Sequence, residues 1–91
     1  MITAILLVEA GRSAMSTLGD RLAATEGVTE VFSVTGHWDF VAIVRLPRHE
    51  QLSEMLAGPV ADLEGITRLQ TMVAIASHPG EGPAASGGAA G

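Results

Sequence analysis

Glycine, histidine, the chain's only tryptophan and aspartate stand in a row at Gly36-His37-Trp38-Asp39, inside the otherwise apolar stretch VTGHWDFVAIV. Such a group could be a structural turn, a metal site, an acid-base pair or a recognition loop. Catalysis by a nucleophile needs an adjacent base and a group to orient it. The chain has no cysteine to serve as one. His37 and Asp39 are two apart and would project to one side of an extended strand. Such a pair alone is weak, because an exposed turn histidine is far commoner than a catalytic one. Metal binding fares no better. His37, His49 and His78 fall on a turn, a helix start and the end of the last strand, without ligand spacing. Neither metal nor cofactor is expected.

Recognition suits these residues more easily. Gly36 permits a positive φ and close backbone approach. Asp39 can accept hydrogen bonds from loop amides, which is an Asx-type lock, or from a ligand's ammonium group. The two roles are compatible. Trp38 is an anchor in a neighbouring subunit, a ligand wall, or a ring folded back on its own hairpin.

The elements that must hold this group follow from hydrophobic pattern and breakers. Residues 3 to 9, TAILLVE, are an apolar run of strand length. AGRS supplies a turn, with Ser13 as candidate helix N-cap. Met15, Leu18 and Leu22 share one helical face, and Gly27 is a left-handed stop. Gly19 inside that helix implies close packing against a sheet. Strands follow over 28–35 and 39–46, joined by the turn 36–38 and therefore antiparallel. A second helix begins near His49, with Leu52, Met55 and Leu56 on one face. It should break at Gly58-Pro59, because Pro59 lacks the amide that would bond Met55. Gly65 precedes the last strand, ITRLQTMVAIA.

The order β-α-β-β-α-β is doubled internally. EGVTEVFSV at Glu26 and EGITRLQTM at Glu64 lie 38 residues apart, and the same offset relates Leu18 to Leu56. Two βαβ halves make an α+β, ferredoxin-like split fold: a four-stranded antiparallel sheet with two helices on one face. Residues 1–78 form this domain. From Pro79 the sequence PGEGPAASGGAAG has no large apolar residue and is expected to be a flexible tail, 79–91.

Composition bounds the partners. The chain has 91 residues, a net charge of −5 and five scattered arginines, so it lacks the basic stripe of a nucleic-acid binder. Its apolar runs are too short to span a membrane. It shows no signal peptide, and a cytoplasmic location is expected. The strands do not alternate between apolar and polar. Ala4, Leu6 and Val8 oppose Ile5 and Leu7; Phe40, Ala42 and Val44 oppose Val41 and Ile43; Met72 and Ala74 oppose Leu69 and Val73. Both faces are apolar, yet there are helices for only one. An apolar face of that size left in water marks an interface. A homodimer packed sheet to sheet, of the dimeric α/β-barrel type, is the expectation.

EGVTEVFSVTGHWDFVAIVRL, then a helix, then LEGITRLQTMVAI, resembles the C-terminal effector domain of the Lrp/AsnC family, also called the RAM domain. The resemblance covers about residues 3 to 76. Its most specific element is the pattern G-V-x-x-V-x-x-V-T-G-x-x-D-F/Y at Gly27 to Phe40. It implies the fold already derived, dimers formed through sheet faces, and assembly of dimers into rings, commonly octamers. It also implies an amino-acid effector held in clefts between dimers. Gly36 and Asp39 match the family's effector-loop Gly-x-x-Asp. Thr71 matches a threonine of the last strand near the same cleft. The family's Thr-x-Thr is broken here by Leu69, which points to a more apolar ligand. The helix-turn-helix domain of full-length regulators does not precede this domain, so a stand-alone version is expected.

The function expected is non-enzymatic small-molecule sensing, with amino acids as the expected ligands, together with oligomerisation. Gly36, His37, Trp38, Asp39, Leu69 and Thr71 are the candidate ligand-binding residues. The alternatives are a small oxygenase-like enzyme of the dimeric α/β-barrel class, or an adaptor co-assembling with full-length regulators.

Overall fold

A computed structural model describes residues 1–85; the end of the expected tail, 86–91, lies outside the described residues. The elements run β1 (Ile2–Ala10), a 3-10 turn (Arg12–Ala14), α1 (Leu18–Ala23), β2 (Val28–Ser33), β3 (Phe40–Leu46), α2 (Glu50–Ala57) and β4 (Ile66–Val73). The sheet order is β2-β3-β1-β4, with every neighbouring pair antiparallel. The ferredoxin-like split β-α-β-β-α-β fold is therefore what the chain adopts. No helix among the described residues is long and apolar enough to cross a membrane.

The period of two along β1 and β3 sorts their side chains. Ala4, Leu6, Val8, Phe40, Ala42 and Val44 are buried against Leu18, Leu22, Leu52, Met55 and Val60. This is the core. Ile5, Leu7, Val41 and Ile43 point to the other face, where they are only half-buried. Across that open face Phe32 of β2 pairs with Val41, and Met72 of β4 pairs with Ile5. Both are exposed.

Several breakers act as their types require. A Cβ on Gly19 would sit 3.0 Å from the Phe40 ring, so this glycine lets α1 lie directly on β3. Helix α2 stops at Ala57, and Gly58 and Pro59 carry the chain into a further turn. Gly27 and Gly65 have φ of 95° and 96°. Each leads into the closing strand of its half, which makes the internal repeat visible in the backbone.

Three local expectations differ. Ser13 is no helix cap: it lies inside the 3-10 turn, and α1 proper starts at Leu18 after Thr17. The tight turn is needed because Gly11 N–H donates to the Gly65 carbonyl at 2.8 Å and Ala14 is pressed against Gly65. Helix α1 ends at Ala23, so Gly27 shapes the turn into β2 rather than the helix cap itself. Strand β4 ends at Val73; Ala74 N–H still bonds the Thr3 carbonyl, but Ile75 stands clear of the protein at 99% exposure.

Candidate functional site

The β2–β3 connection brings residues 34–39 to the end of the sheet where β1 finishes. The backbone turns at Gly36 with φ of 110°, and no atom lies within 4 Å of where a Cβ would be. The glycine is thus required by conformation rather than by crowding. It leaves the loop's surface open.

Asp39 is the loop's fixed point. Its N–H donates to the Val8 carbonyl at 2.9 Å, and its own carbonyl accepts from Val34 N–H at 3.0 Å. Its carboxylate Oδ2 accepts from Ala10 N–H at 2.8 Å. The carboxylate therefore locks not its own turn but the last residue of β1, using a charge-assisted bond to a strand-end amide. This is the structural role weighed for Asp39, directed to a different strand.

Trp38 folds back over the sheet end. The Arg68 guanidinium lies over its ring, 4.3 Å from the centroid. Arg68 Nη2 is 3.5 Å from Glu9 Oε2, and the Thr67 hydroxyl is 2.9 Å from the other oxygen of that carboxylate. The result is a ring, a cation, an anion and a hydroxyl in sequence along the rim. Both charged side chains are substantially exposed, so their pairing contributes little to stability. Its effect is to orient the guanidinium on the indole.

His37 is exposed at the tip. Leu69 and Thr71 lie elsewhere. Leu69 pairs with Val8 and Thr71 with Leu6, which puts both on the helix side of β4; Leu69 packs against the core. Within one chain, then, the structure gathers Gly36, Trp38 and Asp39 but sets Leu69 and Thr71 on the far side of the sheet edge. Arg68, which meets Trp38, and Glu9 and Thr67 behind it escaped the sequence reading. A signal existed: the order β3-β1-β4 necessarily puts the start of β4 across β1 from the start of β3, and Arg68 is the basic residue there.

A family model, the Lrp/AsnC ligand binding domain, matches residues 3–82. No curated protein matches the chain in sequence. Among solved structures, TTHA0845 from Thermus thermophilus is 38% identical, with a TM-score of 0.81 over 87% of this chain and 99% of that one. AsnC of E. coli has a TM-score of 0.81 at 14% identity, over 90% of this chain but 56% of its own. The transcriptional regulator NMB0573 of Neisseria meningitidis, in complex with L-Met, has a TM-score of 0.76 at 15% identity, over 90% of this chain and 56% of its own. The latter two share the fold. The family model spans most of the chain and a relative 38% identical aligns over 87% of it, so the chain belongs to the Lrp/AsnC ligand-binding domain family.

Proposed function

We propose that this domain is a non-enzymatic sensor of small amphipathic molecules, amino acids foremost, and that it works as an oligomer. The observation that carries the reading is the preset hairpin. Asp39 is pinned through two backbone hydrogen bonds and one to its carboxylate, while Gly36 near it stays open and Trp38 is held by Arg68. A site whose groups are already in place loses less entropy on binding. NMB0573, a fold relative, is a complex with L-Met. That supports an amino acid as the first ligand class to try.

Oligomerisation completes the reading. A second copy packed on the open face would cover Ile5, Leu7, Val41 and Ile43. Further dimers meeting at the hairpins would form the cleft, and the second wall would come from Leu69 and Thr71 of a neighbouring copy. Each is only half-buried in one chain. The centre of the open face offers four aliphatic side chains, which suits a sheet-to-sheet contact better than acid-base chemistry.

The test is a panel of amino acids screened by thermal shift, since a ligand at 100 times its dissociation constant adds about 2.7 kcal/mol. The best ligand is then measured by calorimetry on Asp39→Asn. Asparagine keeps an oxygen able to accept the Ala10 amide, so the fold survives. Loss of the charge should weaken binding by about 1.5–3 kcal/mol. Equal affinity for parent and variant would reduce Asp39 to a strand lock.

A further inference from the structure

The internal repeat creates two cavities in equivalent places with different linings. One, of about 300 Å³, is bounded by Glu26, Leu46, Gln51, Glu54, Met55 and Pro59. The other, of about 240 Å³, is bounded by Ser13, Ala14, Thr17, Arg21, Glu64 and Gly65. The 38-residue offset carries Glu26 onto Glu64. It likewise carries Ser13, Thr17 and Arg21 onto Gln51, Met55 and Pro59. Each cavity lies between the helical segment of one half and the Glu-Gly turn that leads into the closing strand of the other half.

The chemistry has diverged while the frame has not. Where the first cavity has the apolar Met55 and Pro59, the second has a hydroxyl and a guanidinium. At its floor Gly11 N–H donates to the Gly65 carbonyl at 2.8 Å, and Ala14 packs so closely on Gly65 that no side chain fits there. Arg21 and Glu64 line this one cavity without pairing to each other; among the described residues the ion pair present is Arg68–Glu9. Thr17 Oγ1 lies 3.5 Å from the Ala14 carbonyl, too long for a good hydroxyl bond, so that hydroxyl is available. A guanidinium and a carboxylate that share a cavity yet stand apart leave room for a molecule with both complementary charges.

We propose that the cavity of Ser13, Thr17, Arg21 and Glu64 binds a small zwitterion, separately from the hairpin. Arg21 takes the carboxylate, Glu64 takes the ammonium group, and the two hydroxyls add hydrogen bonds. A compact amino acid or a betaine-like molecule suits an open depression of about 240 Å³. Both charged side chains are exposed, so binding should be weak, with a dissociation constant on the order of 1 mM.

The experiment is a titration of the full chain followed through its backbone amide NMR signals, using L-serine, acetate and methylammonium as three separate ligands. L-Serine should give saturable shifts at Ser13–Arg21 and Glu64–Gly65. Acetate and methylammonium, which each carry one of the two charges, should bind at least about tenfold more weakly. Arg21→Gln and Glu64→Gln keep exposed polar side chains of similar size, and each should weaken L-serine by about tenfold or more. The proposal is overturned by no saturable shift at these residues, by acetate binding as well as L-serine, or by neutral substitutions without effect. Shifts at Gly36–Asp39 alone also overturn it, while leaving the hairpin reading intact; shifts at the cavity alone support it whatever the hairpin does.

Discussion

On one face of the sheet Ala4, Leu6, Val8, Ala42 and Val44 are sealed from water by the helices. On the other, Ile5, Leu7, Val41 and Ile43 have only their strand neighbours for company. The two sets interleave along the same strands and are equally apolar, so strand chemistry cannot be what separates them. Cover is. Two short helices suffice for one face of a four-stranded sheet, and both lie on the same side. Core and open face are thus a single apolar sheet, divided by where the helices happen to run. The covered face makes the chain fold; the bare one is the surface on which the proposed association rests.

The sharpest way to break this comparison is to wound each face in turn. Leu6→Ala empties a site with no exposure at all and should cost about 2–5 kcal/mol of folding stability, read from denaturant midpoints. Ile43→Asp should leave the isolated domain folded but weaken self-association. Losing one aliphatic contact from each copy is worth about 3 kcal/mol per dimer, roughly a hundredfold in dissociation constant, before the carboxylate's desolvation is added. Sedimentation equilibrium measures it. Should Ile43→Asp unfold the chain as badly as Leu6→Ala while the parent is a monomer, the faces are not distinct in function. The smallest effect concerns the rim where both faces end. Trp38→Ala removes the Arg68 stacking, worth about 0.5–1 kcal/mol at an exposed site. It should weaken assembly beyond the dimer more than the dimer itself, which sedimentation velocity distinguishes.

Much of the architecture was legible in the residues because each signal was local. The two apolar faces of β1 and β3, the glycine inside the first helix and the stop at Gly58-Pro59 are all read from neighbours in sequence. The same holds for the turn glycine at position 36. Other features depend on contacts made far along the chain. Ser13 reads as a cap until Gly65 presses on Ala14 and forces a tighter turn. The register shifts at Glu9/Ala10 and at Val28/Glu30 change which side chains face which way, and period-two counting cannot foresee them. The partner of Trp38 depends on topology instead: the resemblance put Leu69 and Thr71 near the hairpin's cleft, whereas the strand order β3-β1-β4 brings Arg68, paired with Glu9, to Trp38. Asp39 was legible as a hydrogen-bond acceptor, but its donor, Ala10, stands 29 residues earlier.

The end of β1 is fastened twice over. Ala10 N–H is held by the Asp39 carboxylate, and the next amide, Gly11, by the Gly65 carbonyl. A strand terminus is ordinarily where local opening begins, with a free energy near zero. Here two consecutive peptide groups are tied to two distant segments of the chain, one to the hairpin and one to the turn before β4. This terminus cannot fray without loosening both, so it opens with the body of the sheet. The end of β4, with Ile75 beyond it in solvent, is held by its pairing with β1 and by the Ala74–Thr3 bond, with no tie to a second segment among those bonds. Local motion is therefore channelled away from the hairpin and toward the opposite end of the molecule.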